Sequence, residues 1–334
     1  MTAQEPLCGI LNVDKPLEWT SHQVVAAMRK WTGERRIGHA GTLDPLATGV
    51  LVLCLGKATR VSPYLMASTK VYRATMRLGL STDTHDAEGQ VIARCEAQVS
   101  LEQFEAALPR FVGTIAQVPP AYSAVKREGK PLYQYARQGV EMQAPPRKVE
   151  IHKLSVVGWS PPEVILDVVC GPGTYIRALA RDLGAELSCG ASLTALRRLA
   201  SGQFDAEQAL PVTAIEQAYQ DRSAAELVRA HLQPLDVAFA HLPAVHLDEA
   251  GARLLTMGQG VTAEVDAGPM PAKRPRDSGR IPADGHSRTY DDVQTHRYAR
   301  AYGPGDQFLA LVVWSEDHGQ WRPRKVFVQP DELL

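Results

Sequence analysis

Gly38-His39-Ala40-Gly41-Thr42-Leu43-Asp44-Pro45-Leu46-Ala47-Thr48-Gly49 runs directly into Val50-Leu51-Val52-Leu53-Cys54-Leu55. The second stretch is a continuous apolar run of strand length, which predicts a central strand buried on both faces. The first holds three glycines and a proline. These fix an unusual loop path and let a ligand approach the backbone closely. Asp44 sits in the middle of that loop, just ahead of a buried strand, where an unpaired carboxylate is expensive. Two readings stand for it: a turn aspartate that bonds its own backbone, or an acid, base or nucleophile carried on a rigid loop.

Working outward, strands and helices alternate from Leu7 to about Gly202. Residues 10–13 suit a short strand, and Thr20 or Ser21 can cap a helix that carries Val24, Val25 and Met28. Residues 71–78 alternate, with Tyr72, Ala74, Met76 and Leu78 on one face and Arg73, Thr75 and Arg77 on the other, the pattern of a half-buried strand. Residues 101–108 read as helix and residues 164–170 as strand. The latter ends at Gly171-Pro172-Gly173 and leads into a helix with Ile176, Leu179, Ala180 and Leu183 on one stripe. The mixture implies an α/β-type domain whose sheet need not be parallel. From about Ala238 the pattern predicts short strands with glycine turns, at 258–261, 307–314 and 325–328, which suit a small β-barrel. Residues 264–296 have too little apolar surface to offset their ordering entropy and read as a flexible insertion.

Composition sets the class. The chain has 334 residues, 45 % hydrophobic and 22 % charged, the balance of a soluble protein with two domains. Without a run of about 18 apolar residues, no membrane span is expected. The first residues lack the basic and apolar regions of a signal peptide, so a cytoplasmic location is expected. None of the five cysteines pairs as CxxC or stands at metal-ligand spacing from a histidine, so no metal site is expected. Cys8, Cys54 and Cys170 lie in or beside apolar runs, as small hydrophobes would in a reducing compartment. The net charge of −1 hides an asymmetry: residues 1–200 hold 23 Lys+Arg against 18 Asp+Glu, and the remainder 13 against 19. Residues 126–153 alone carry seven basic and three acidic groups. That stretch is either a solvated surface loop or a phosphate-holding surface.

The loop around Asp44 resembles the catalytic signature of the TruB family of tRNA pseudouridine synthases, G-H-x-G-x-L-D-P-x-A-x-G. Further blocks resemble the family's in the same order: Lys15-Pro16 with Thr20-Ser21; Lys70-Val71-Tyr72-Arg73-Ala74; Thr82-Asp83-Thr84 with Asp86 and Gly89. Gln117-Val118-Pro119-Pro120-Ala121-Tyr122-Ser123-Ala124-Val125-Lys126, Gly173-Thr174-Tyr175-Ile176-Arg177 and Leu196-Arg197-Arg198-Leu199 complete the set. The resemblance covers roughly residues 8–202. Glu18 departs from it, standing where the family's K-P-x-G has glycine, which puts the local turn in question.

The resemblance implies an α+β fold: a pseudouridine synthase catalytic domain over residues 7–237, with a mixed, largely antiparallel central sheet flanked by helices. It also implies an RNA-gripping insertion at about 117–153, and residues 238–334 match loosely a small PUA-like β-barrel. The implied reaction isomerises uridine 55 in the T-arm of tRNA, by base flipping and without a cofactor. Asp44 is then the catalytic residue, as nucleophile toward C1′ or as base at C2′. His39 would brace the vacated space, Tyr72 stack on the flipped base and take the C5 proton, and Leu196 line the pocket with Leu43 and Leu46. Arg177 is suited to pair with Asp44 through its guanidinium fork, with Tyr175 bonding Arg177 or the substrate.

Lys126, Arg127, Lys130, Arg137, Arg147 and Lys148, interleaved with Tyr122, Tyr133 and Tyr135, would grip the RNA. Lys273, Arg274 and Arg276 would add salt-sensitive contacts or stay solvated. A monomer without an obligatory protein partner or membrane is expected. Three rivals remain: the guide-RNA-dependent branch resembling dyskerin, a pure RNA-binding or RNA-folding protein, and a glycosylase that releases free base.

Overall fold

The structure, a computed structural model, describes residues 6–140, 142–266 and 297–333. It contains two compact units: one of Leu11–Leu53 and Ser68–His231, the other of residues up to Ile10, Cys54–Ala67 and the chain from Leu232 onward.

The first unit is built on a mixed sheet whose strand order is Leu210–Pro211, Gly9–Lys15, Ala47–Leu55, Ala191–Ser201, Lys70–Leu78, Glu163–Cys170, Arg147–Ser160 and Gly113–Gln117. Ala191–Ser201 pairs parallel with Ala47–Leu55, while the four pairings from there to Gly113–Gln117 are all antiparallel. The fold is α+β with a largely antiparallel sheet, as expected. Lys70–Leu78 follows its alternation: Tyr72, Ala74, Met76 and Leu78 are buried, and Arg73 and Arg77 are exposed. Helix Ser21–Thr32 starts where the sequence placed it. The Thr20 hydroxyl accepts from Gln23 N at 3.0 Å and the Gln23 side chain accepts from Thr20 N at 2.8 Å, a reciprocal cap that satisfies two otherwise orphaned N–H groups. Helix Ile176–Glu186 buries the expected stripe of Ile176, Leu179, Ala180 and Leu183.

Register places chemistry at the middle of this sheet. Leu196 stands opposite Ala47 and Arg198 opposite Gly49 on one side; on the other, Leu196 faces Ala74 and Arg198 faces Tyr72. Gly49 has φ +97°, and a Cβ there would lie 2.2 Å from the Arg198 carbonyl oxygen. Only glycine lets the Asp44 loop pass so close to the next strand.

The other unit has a four-stranded sheet in the order Ala244–His246, Tyr298–Tyr302, Phe308–Ser315 and Gln320–Val326. Val245, Leu255, Leu309 and Trp321 are in its core. Val261 bridges to Trp321 and Val265 to Val245, so this short segment touches both edge strands. Residues 258–261 do not form the expected strand. Helix Glu249–Thr256, capped by Asp248 on Gly251 N at 2.7 Å, fills the preceding positions, and only Val261 makes an isolated bridge. The last strand begins at Gln320, five residues before its expected start at Lys325. Cys8 is exposed, whereas Cys54 and Cys170 are buried. Most of the expected insertion at 264–296, with Lys273, Arg274 and Arg276, lies outside the described residues. Among those described, no helix is long and apolar enough to cross a membrane.

Candidate active site

Asp44 lies on a loop held from several directions. On one side, the Ser21 hydroxyl accepts from Leu43 N at 2.8 Å and donates to Leu43 O at 3.0 Å. On the other, Glu18 N donates to Pro45 O at 3.0 Å and Lys15 Nζ to the same oxygen at 3.3 Å. The fully buried Lys15 also donates to Pro16 O at 2.9 Å and to Trp19 O. Glu18 itself sits at φ +66°. The turn expected to need glycine is therefore present, with glutamate forced into the left-handed region.

The Asp44 carboxylate is directed to Arg177, not to its own backbone. Arg177 Nε lies 2.9 Å from Asp44 Oδ2. The expected two-pronged pairing is not formed, because the rest of the fork is shared. Nη1 lies 3.4 Å from Asp86 Oδ2 and donates to Thr84 O at 3.2 Å, and Nη2 donates to Tyr122 O at 2.8 Å. One buried guanidinium thus ties the aspartate loop, the 82–86 loop and the root of the basic insertion together. Asp86 is 2 % exposed and accepts from Thr84 Oγ1 at 2.5 Å and Glu88 N at 3.1 Å. In the sequence Asp86 is one residue of the 82–89 block; its role as second carboxylate on Arg177 depends on a contact 91 positions away.

Arg198 is the other buried cation. Its side chain, 1 % exposed, donates from Nε to Val50 O at 2.6 Å and from Nη2 to Gly41 O at 3.1 Å. Among the described residues no carboxylate pairs with it. Tyr72 and Leu196 are buried on the same sheet face, and Leu43 is buried beside Asp44 in the chain. His39 ends strand Ile37–His39, at the start of the loop. Its Nδ1 is buried and finds no hydrogen-bond partner among the described residues.

Burial governs the electrostatics. It pushes the Asp44 carboxyl above the ordinary carboxylate range; Arg177 opposes this most strongly, Asp86 adds to it, and Lys15 opposes it in turn. The Lys15 ammonium, desolvated, falls to about 8 despite the nearby Asp44. Burial raises the Tyr72 hydroxyl and the Arg198 charge beside it draws it back. His39 is lowered by burial and then by Arg198, which favours the neutral ring at neutral pH. Glu88 is raised by desolvation and by Asp86 and Asp44, marking it as a further acid near the site.

The insertion has a small core of its own, Val125, Leu132 and Ala144, with Met142 and Tyr175 packed against it. Tyr175 therefore serves packing as well as position: its N–H donates to Gln117 Oε1 at 2.8 Å and its carbonyl accepts from Gln117 Nε2 at 3.1 Å. Gln117, buried and not singled out from sequence, fastens the start of the insertion to the residue before the Arg177 helix. Lys126, Arg127, Lys130, Arg137, Arg147 and Lys148 are all exposed, and Arg137 lies over the Tyr133 ring at 5.5 Å. The structure thus gathers Asp44, Arg177, Tyr72, Leu196 and His39 around one loop and sheet face, and places the basic residues on the adjoining insertion.

Residues 29–176 match the model of the TruB family pseudouridylate synthase N-terminal domain, and residues 177–240 that of the tRNA pseudouridylate synthase B C-terminal domain. The tRNA pseudouridine synthase B of Thiobacillus denitrificans is 44 % identical over 79 % of this chain and 87 % of its own. That of Dehalococcoides mccartyi is 38 % identical over 96 % and 97 %. Among solved structures, the Cbf5-Nop10-Gar1 complex contains a chain with TM-score 0.68 and 26 % identity, matched over 97 % of this chain and 86 % of that one.

Proposed function

The chain belongs to the TruB family of pseudouridylate synthases, and on that premise we propose that it isomerises uridine 55 in the T-arm of tRNA to pseudouridine, with Asp44 as its one catalytic carboxylate. As a member of that family it is a tRNA-modifying isomerase. The observation that carries the assignment of Asp44 is its contact with Arg177 at 2.9 Å, on a loop whose backbone is fixed on both sides of the carboxylate.

The chemistry follows from what each group can do. The target base must leave its stack to bring its C1′ to a half-buried carboxylate on the loop. Tyr72 offers a ring for that base to stack on, and its oxygen, ionised, takes the C5 proton and becomes the hydroxyl. Leu196 and Leu43 wall the pocket, and the orphaned Nδ1 of His39 supports a role for it in bracing the flipped nucleotide. Asp44 attacks C1′ as a nucleophile and uracil leaves as its anion. The base turns, and C5 attacks C1′, breaking the C1′–oxygen bond and returning the Asp44 carboxylate. The C5 proton then goes to Tyr72, and N1 takes up a proton from Tyr72 or solvent. The alternative, removal of the C2′ proton by Asp44, is separated from this by a primary isotope effect with deuterium at C2′. One carboxylate is enough because no water is added; glycoside hydrolysis needs a second carboxyl for the leaving group or water. No cofactor enters this scheme. The basic insertion grips the T-arm, and the PUA-like unit of residues 238–334 adds RNA contacts. We place the enzyme in the cytoplasm as a monomer without an obligatory protein partner.

Incubation with a tRNA transcript, followed by mass-silent mapping of pseudouridine and tritium release from uracil C5, tests the proposal. Product at position 55 with the wild type, and none with Asp44→Asn despite retained tRNA binding, is expected. An active Asp44→Asn enzyme overturns the role of Asp44. Turnover on a bare T-arm hairpin excludes dependence on a guide RNA; loss of base, read as a mass change, signals a glycosylase instead. The identities of 38–44 % to proteins named tRNA pseudouridine synthase B favour the stand-alone reading.

A further inference from the structure

Arg198 takes no part in the scheme above, yet it is among the largest fully buried side chains. A buried guanidinium without a carboxylate is costly, because its desolvation is offset only by dipoles. The partners it does have are not arbitrary. Val50 O and Gly41 O, at 2.6 and 3.1 Å, stand on the two sides of the loop that carries Asp44, nine residues apart. Gly41 is at φ +117°, and a Cβ there would lie 3.6 Å from Arg198 Nη1. On the neighbouring strand, Arg198 is paired in register with Tyr72, which brings side chains on the same face to within about 5.5 Å at Cβ. The site therefore has two cations with different surroundings: Arg177 sits between carboxylates, while Arg198 keeps an unmatched charge beside a phenol.

We propose that Arg198 is a positioning residue, which closes the Asp44 loop by gripping both its ends and holds a positive charge against the Tyr72 oxygen, so that the tyrosine can ionise and its phenolate accept the C5 proton. An unneutralised cation favours the ionised form of Tyr72, which has given its own proton to solvent, takes the C5 proton and returns to the neutral hydroxyl. Donors fixed in advance hold that anion without reorganisation. Arg177 cannot serve this purpose, since Asp44 and Asp86 already neutralise it. The inference rests on the proposed isomerisation, in which C5 must lose a proton.

The test uses the full chain with tRNA carrying hydrogen or deuterium at uracil C5, under single turnover. Arg198→Gln is expected to slow product formation about 100-fold or more, the range for loss of a fixed donor, with tRNA affinity within about threefold of wild type. The C5 deuterium effect should rise to about 2 or more as proton removal becomes limiting, and the pH–rate profile should move to higher pH. Arg198→Lys, which restores the charge, should recover the wild-type profile but not the full rate. In a Tyr72→Phe background the Arg198→Gln penalty should shrink, because both changes remove one interaction. A slower Arg198→Gln enzyme with unaltered isotope effect and pH profile overturns the coupling to Tyr72, as does an undiminished penalty in Tyr72→Phe. Near-normal turnover of Arg198→Gln overturns the proposal alone, whereas a wild type that forms no pseudouridine overturns the function and this inference with it. If Arg198→Gln does not fold, the comparison of Arg198→Lys with Tyr72→Phe/Arg198→Lys decides the same question.

Discussion

Arg177 meets Asp44 through one edge only, Nε to Oδ2 at 2.9 Å, and turns its Nη1 toward Asp86 at 3.4 Å. The guanidinium is thus a hub between two carboxylates and two backbone carbonyls. A lysine at this position offers one compact charge that cannot satisfy four directions at once. Arg177→Lys is expected to lower the single-turnover rate about 100-fold or more while tRNA still binds. Rapid-quench kinetics with a filter-binding control checks this, and a rate within threefold of wild type would remove Arg177 from the site.

The pH dependence follows from the balance at Asp44. Burial raises its pKa above the ordinary 3.8, with Arg177 and Lys15 opposing. The carboxylate acts when ionised, so activity is lost as pH falls through its pKa, at a higher pH than an exposed aspartate would give. Lys15→Met removes one opposing charge, so the acidic limb of kcat/KM should move further up in pH. A limb that stays in place or moves down contradicts the assignment of Asp44 as the group that titrates there.

Glu18 has φ +66° in a turn whose N–H is bonded to Pro45 O. A non-glycine residue pays about 1 kcal/mol or more in that region. Glu18→Gly should relieve this, raising stability by about 1 kcal/mol and the midpoint of thermal unfolding by roughly 2–4 °C. Gly49→Ala should do the opposite, losing at least about 2 kcal/mol, because the new methyl meets the Arg198 backbone at 2.2 Å. Calorimetry on both variants tests the pair; a destabilised Glu18→Gly or a neutral Gly49→Ala contradicts the backbone argument.

These positions show what the sequence made legible. Local signals carried far: glycine spacing marked the Asp44 loop, alternation put Tyr72 on a buried face, and Thr20 announced its helix. Alternation along 196–198 also held an unread clue, since it sets Arg198 on the same face as Leu196, but a buried arginine contradicts the usual expectation for a charge. Asp86 and the Tyr122 carbonyl were hidden for a different reason. Their meeting at Arg177 depends on loops brought together by the strand order, which periodicity does not encode. The helix Glu249–Thr256 is short and sits among glycines, so only Asp248, a weak cap signal, distinguished it from a strand-and-turn pattern.

The insertion's own core decides how its RNA grip can be tested. Deleting residues 132–143 would remove Leu132, which is 1 % exposed in the insertion's own core and packs in the same cluster as Tyr175. Such a deletion disturbs the approach to the Arg177 helix as well as the RNA surface. Lys126, Arg127 and Lys130 lie on an exposed two-stranded turn, where alanine changes charge without touching that core. The triple variant Lys126→Ala, Arg127→Ala, Lys130→Ala should raise KM for tRNA about tenfold at 0.1 M salt and flatten the slope of log affinity against log salt by about 2 to 3. The rate at saturating tRNA should stay within about twofold, because none of the three touches Asp44, Arg177 or Tyr72. Filter binding across a salt series gives the slope and single-turnover kinetics the rate. An unchanged slope would show that this turn faces away from the phosphates, and a collapsed saturating rate would mean that it helps to order the site itself.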